Sequence, residues 1–191
     1  MKKFILSLLA IVPLQVAVFA QSTWKADPAH SRIGFSITHL GISDVSGAFD
    51  KFEATITSDK TDFSDAVFEL TINADSINTA VDKRDEHLRS PDFFEVTKFP
   101  KITFRSRSIR SIGPDRYQLE GELTIRDVAK PVTAELWYRG ATDNPMSKKR
   151  TAGFQLTAKL KRSDFGVGPK FQPPMISDEL LVKADGEFVK Q

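Results

Sequence analysis

Ala152-Gly153-Phe154-Gln155-Leu156-Thr157-Ala158-Lys159-Leu160-Lys161 sets an apolar side chain at every second position, with glycine, polar or charged residues between. That two-residue period is the mark of a strand with one face buried and the other in water; a helix would scatter those apolar positions around its circumference. The same pattern continues in both directions. Towards the N-terminus, Val132, Ala134, Leu136 and Tyr138 alternate with Thr133, Glu135, Trp137 and Arg139, after a turn read over Arg126 to Pro131. Before that, Tyr117, Leu119, Gly121, Leu123 and Ile125 form a hairpin with Ile102 and Phe104 across a turn at Gly113-Pro114. Towards the C-terminus, residues 166 to 174 hold two Gly and three Pro and read as an irregular rim, followed by Leu180, Val182, Ala184, Gly186 and Phe188 as a last strand.

The first third of the chain alternates too. Ile33, Phe35 and Ile37 follow a short lead-in at Trp24 to Pro28. Val45, Gly47 and Phe49 run on into Phe52, Ala54 and Ile56 with the parity switched, as one bent strand with a bulge residue near Asp50 or Lys51 requires. Residues 59 to 65 read as polar punctuation before Phe68, Leu70, Ile72 and Ala74. The reading is all-β: eight antiparallel strands, closed into a barrel so that one apolar face each is buried and no edge is exposed, with a two-sheet sandwich as the rival. Ala134, Ala152, Ala158, Ala184, Gly121 and Gly186 fall on the inward face, and small residues there either leave room for a ligand or fit the taper of a filled barrel.

One stretch breaks the alternation, after the third strand: Arg84-Asp85-Glu86-His87-Leu88-Arg89-Ser90-Pro91-Asp92-Phe93-Phe94. Val81 to Arg89 reads as a short helix, with Thr79 as N-cap and Asp82 in the first turn, stopped by Ser90-Pro91. Arg84, His87 and Leu88 share a face, and Asp85 stands in the favourable order to pair with Arg89. The segment is either a solvated helix whose Leu88, Phe93 and Phe94 plug a core, or a polar clamp beside an apolar mouth.

Composition narrows the function. Lys2-Lys3, the apolar run Phe4 to Val12 and Val18-Phe19-Ala20 before Gln21 have the layout of a secretory signal peptide, so residues 1–20 are read as a leader and 21–191 as one exported, periplasmic domain. Of 27 basic and 25 acidic residues, two of the basic ones lie in that leader, and the balanced remainder argues against nucleic acid as a partner. With no cysteine, the domain has no disulfides, thiol nucleophiles or thiolate metal sites, and the chain's 15 phenylalanines, two of them in the leader, suggest what fills its core.

Four blocks of the chain resemble the bacterial YceI-like family. They are Asp27-Pro28-Ala29-His30-Ser31 with His39-Leu40-Gly41 and Gly47-Ala48-Phe49; the helical segment Arg84 to Ser90 with Asp92-Phe93-Phe94; Gly121-Glu122-Leu123-Thr124-Ile125; and Arg162-Ser163-Asp164-Phe165-Gly166 with Ile176-Ser177-Asp178-Glu179. The resemblance implies an eight-stranded antiparallel lipocalin-like barrel and an amphipathic, polyisoprenoid-like lipid as ligand; it implies no reaction. Asp127 stands where the family pattern has glycine, and Asp tolerates a left-handed turn well enough for the hairpin to persist.

The chain has no Gly-x-Ser-x-Gly elbow, phosphate-cradling loop or His-Glu-x-x-His helix, so a non-catalytic role without cofactor or metal is expected. Two alternatives stand beside it. One is a metal-dependent or other lipid-modifying hydrolase using His39 and His87; the other is an outer-membrane barrel, because alternation looks the same whichever way the apolar face points. The expected function is a carrier or sequestering protein for a long-chain lipid. Arg84, His87, Arg89 and His39 are the candidate head-group contacts, Phe93, Phe94, Phe165 and Phe171 surround the mouth, and Ala158 lies along the tail. A membrane-spanning role is not expected, and a homodimer is left open.

Overall fold

The computed structural model describes residues 21–191, so the expected leader lies outside the described residues. Its strands are β1 (Ser22–Ala26), β2 (Arg32–His39), β3 (Ser43–Phe49), β4 (Phe52–Ser58), β5 (Val67–Asn73), β6 (Ile77–Asn78), β7 (Lys101–Gly113), β8 (Arg116–Ile125), β9 (Val128–Asp143), β10 (Arg150–Lys161) and β11 (Ile176–Lys190), with helix α1 (Asp82–Arg89) between β6 and β7. The order β1-β4-β5-β7-β8-β9-β10-β11, closed by antiparallel pairing of β11 with β1, makes the expected eight-stranded barrel.

The other three strands are continuations. β2 extends β1 along β11, β3 extends β4 along β2, and β6 extends β5 along β3. The breaks are local: Asp27 turns the chain by accepting from the Ala29 amide at 3.0 Å, and Asp50-Lys51 carries the parity change. Two of them are tied together, since the Lys51 amide donates to Ser76 Oγ at 3.0 Å and the Asn73 amide to the Lys51 carbonyl at 2.9 Å. Residues 45 to 56 thus behave as one bent strand.

Two stretches read as irregular proved ordered. Trp24, taken as lead-in, belongs to β1, which closes the barrel by pairing with Lys190 and Ile56. The turn after β8 is confined to Arg126 and Asp127, both left-handed (φ 52° and 57°), so Asp127 does keep the hairpin, and Val128 pairs at once with Ile125. Pro131 is therefore a strand residue. It is tolerated because β9 begins pairing with β10 only at Glu135, so Pro131 has a ladder on one side only.

The core divides along the barrel axis. At one end Phe63, 1% exposed, packs its ring against Trp24, Tyr138 and Phe154 at centroid distances of 5.2, 5.1 and 5.0 Å. The loop read as polar punctuation is therefore a plug. Asp65 holds it by accepting from Ser58 Oγ at 2.5 Å and the Asp59 amide at 3.0 Å, and Tyr117 Oη donates to the Asp62 carbonyl at 2.7 Å. The other end is built around Ile33, Phe49, Ile72, Ile77, Phe93 and Phe165, and it is hollow. Outward positions carry cross-strand ion pairs such as Glu69–Arg105 and Lys159–Glu179. No helix among the described residues is long and apolar enough to cross a membrane.

Candidate functional site

The hollow end encloses a cavity of about 490 Å³. Ile33, Phe35, Leu70, Phe104, Leu156 and Val182 are among the apolar side chains that line it, and Ala134, Ala158 and Ala184 supply small ones. The remaining small inward positions leave no room. A Cβ on Gly121 would lie 2.5 Å from the Phe104 ring, one on Gly186 would lie 3.1 Å from Phe188, and Ala152 is wholly buried in the aromatic plug. Of the small inward residues, three alanines border the space, and the others fit the taper.

Polar groups gather where the wall opens. Among the described residues, His39, Thr79, Arg84, His87, Lys161 and Arg162 line the cavity, and no carboxylate does. α1 delivers two of these. Its N-cap is Val81 and makes no side-chain capping bond, so Thr79 is not the cap. Instead Asp85, 5% exposed, accepts from both the amide (2.9 Å) and the hydroxyl (2.5 Å) of Thr79. Arg84 then donates from Nε to Thr79 Oγ1 at 2.7 Å and from Nη2 to its carbonyl at 2.8 Å. The buried carboxylate thus holds the guanidinium through a threonine, leaving Arg84 fixed in the cavity wall by two of its nitrogens.

The expected pairing of Asp85 with Arg89 does not form, because Asp85 turns back to Thr79. Arg89 lies outside the cavity lining and spans the strand beside it, donating to the carbonyls of Asp75 (2.7 Å) and Ile77 (2.9 Å). It secures α1 to the otherwise free edge of β6, and unlike the other expected head-group contacts it is not among the cavity-lining residues.

His87, Phe93 and Phe171 form an aromatic corner. Phe93 stacks on Phe171 at 4.9 Å, and the imidazole meets their edges at 5.0 and 5.4 Å. Below it, Asp92 takes Lys170 Nζ at 2.7 Å and His87 Nε2 at 3.4 Å; the Lys170 ammonium and then the imidazole hold its carboxyl below the ordinary carboxylate value. Phe94 packs edge-on against Phe49 at 5.8 Å, and Phe165 is 2% exposed in the wall. The structure therefore brings His39, Arg84, His87, Phe93, Phe94, Phe165, Phe171 and Ala158 to one cavity.

Arg162 is the residue that the sequence reading passed over. It is 6% exposed and donates to the carbonyls of Ser177 (3.0 Å), Val167 (3.0 Å), Gly168 (2.6 Å) and Ile176 (3.2 Å), and also to that of Phe171. One guanidinium so gathers the whole Gly- and Pro-rich rim. Its signal was present: Arg162 continues the inward phase of Ala152, Phe154, Leu156, Ala158 and Leu160, where an arginine needs several acceptors to be buried.

Among the described residues, the one group of His and carboxylates close enough to share an ion is Asp27, His30 and Glu187, away from the cavity lining. There His30 Nδ1 meets Asp27 Oδ2 at 2.9 Å, which lowers the carboxyl pKa and raises that of the imidazole. His39 and His87 belong to no such group.

A closed antiparallel barrel, plugged at one end and hollow and apolar at the other, defines a lipocalin-like barrel. The chain belongs to the YceI-like family, whose domain matches residues 24–188. It is 38% identical to Protein YceI of Salmonella arizonae over 170 residues, covering 89% of this chain and 88% of that protein. The crystal structure of the Campylobacter jejuni YceI protein superposes with a TM-score of 0.73 at 31% identity, over 81% of this chain and 90% of that one. Burkholderia cenocepacia BcnA gives 0.74 at 25% identity, over 85% and 98%. A polyisoprenoid-binding domain from Saccharophagus degradans has the same fold, with a TM-score of 0.69 at 17% identity, over 91% of this chain and 99% of that one.

Proposed function

We propose that the protein is a non-catalytic carrier or sequestering protein for a long-chain amphipathic lipid of polyisoprenoid or isoprenoid-quinone type, acting after export to the periplasm. The observation that carries this reading is the cavity: about 490 Å³, walled by Leu, Ile, Val, Phe and Ala, with its cations at one end. A tail transferred from water into such a space contributes about 0.8 kcal/mol per methylene before ordering is set against it, so useful affinity needs no precise polar code. The head then rests at the mouth, where Arg84, His87 and His39 favour an anionic or acceptor group and Phe93, Phe94, Phe165 and Phe171 enclose the first tail atoms. The polyisoprenoid-binding relative in Saccharophagus supports the ligand class. The charged outward face of the strands disfavours an outer-membrane barrel, which carries an apolar band there.

Geranylgeranyl phosphate and geranylgeraniol, titrated against the purified protein, test the reading, with farnesyl counterparts for tail length. Saturable binding that tightens with the longer tail and with the phosphate is the expected result. Affinity independent of tail length would refute it. Release of a chain beginning at Gln21 by osmotic shock would support the periplasmic address.

A further inference from the structure

The rim of the cavity carries exposed apolar surface, part of it outside the cavity lining. At the tip of the β2–β3 hairpin Leu40 and Ile42 are 51% and 84% exposed, and Met175, just before β11, is 49% exposed. The two segments are joined, because the Leu40 amide donates to the Met175 carbonyl at 3.0 Å. His39 and Met175 line the cavity, so this patch is continuous with its mouth.

The tip is unusual for one that faces water. Leu40 and Gly41 both have positive φ (53° and 72°), and the Ile42 amide returns to the His39 carbonyl at 3.2 Å, the turn that Asn-Gly makes most readily. Leucine is strained in that conformation, and at half exposure it recovers little of the strain by burial in the free protein.

We propose that Leu40, Ile42 and Met175 insert into the surface of a phospholipid bilayer and present the cavity mouth to it, as the site where lipid enters or leaves; this rests on the lipid-binding reading above. A hairpin tip is too small for a stable protein interface, which takes about 800 Å² per partner, but suits shallow insertion among acyl chains. The charge beside it fits as well. Lys161 lines the cavity, whose lining among the described residues holds no carboxylate, and so offers an unopposed cation at its mouth to a lipid phosphate. A tail that is insoluble in water also has a bilayer as its source.

The test uses the mature protein with vesicles of phosphatidylcholine and phosphatidylglycerol, read by co-sedimentation and by stopped-flow transfer of a fluorescent geranylgeranyl phosphate. Ile42→Glu and Leu40→Asn, the second suited to the left-handed backbone, lie outside the cavity lining. Each should weaken vesicle partition roughly tenfold and slow transfer in proportion, with probe affinity in solution unchanged. Met146→Ser, at a 93% exposed residue in the turn by the plugged end, should change neither. Parent-like partition and transfer in both rim variants, or an equal loss in Met146→Ser, would overturn the proposal. Failure of the parent to bind the probe in solution would strike the lipid-binding reading instead, while partition of the unloaded protein would still report on docking.

Discussion

At the scale of single residues, the three arginines around the mouth look alike in sequence and differ in what their nitrogens reach. Arg84 is set in the cavity wall through Thr79 and Asp85, whereas Arg89 clasps backbone carbonyls on its far side. Arg84→Ala should therefore weaken geranylgeranyl phosphate by roughly 1.5–3 kcal/mol and barely affect geranylgeraniol. Arg89→Ala should leave both ligands bound alike and lower stability by about 1–2 kcal/mol, as two half-exposed bonds suggest. Isothermal titration with both ligands, beside urea unfolding, separates the two roles. Asp92 gives a pH signature. Its folded pKa is depressed below the ordinary 3.8, chiefly by Lys170, so its contribution to holding the rim is complete above that value and is lost as pH falls through the folded one. Amide protection across residues 168–174 should drop on acidification below about 3.8, and Asp92→Asn should show the reduced protection already at neutral pH.

At the scale of elements, the rim between β10 and β11 has almost no regular backbone pairing of its own, and Arg162 takes the place of a sheet by collecting its carbonyls. Arg162→Met keeps the apolar stem but strands those buried acceptors, and about 3 kcal/mol or more of stability should be lost in urea unfolding. Arg162→Lys should restore only part of it, because a single ammonium cannot reach acceptors spread over the planar fork of a guanidinium. Hydrogen exchange should show the loss concentrated at Val167 to Ile176, with β7–β8 unaffected. The helix obeys the same logic: α1 is short, has no capping side chain and is held by bonds leaving it through Asp85, Arg84 and Arg89.

At the scale of the whole molecule, the barrel is a solid half joined to a hollow one. Ala158 and Ala152 lie on the same face of β10, six residues apart, one in the cavity and the other in the aromatic plug. Ala158→Phe should fill ligand space, abolishing long-tail binding with either head group while circular dichroism and the unfolding midpoint stay near those of the parent. Ala152→Phe should do the reverse, destabilising by about 1–3 kcal/mol through overpacking against Phe154 and Phe188 and leaving binding intact in whatever fraction folds. Normal long-tail binding by Ala158→Phe would show that the tail does not pass that position.

The chain by itself determined its strands, its hairpins and the place of its helix, because a period of two, a Gly-Pro turn or a Ser-Pro stop acts through neighbours in sequence. The bend near Asp50 was legible for the same reason, and Phe93 and Phe165, which line the cavity, stand in blocks that resemble the family. Only the tertiary structure decided closure, since β1 is a strand solely because β4 and β11 flank it. It also decided which small residues mean space. Gly121 and Ala158 have the same inward phase, but a phenylalanine from the next strand lies over the first and nothing fills the second. The arginines were undecidable for the like reason: a guanidinium is satisfied by whichever carbonyls the fold brings within reach, and those of Asp75, Ile77 and residues 167 to 177 reach Arg89 and Arg162 only once the barrel has closed.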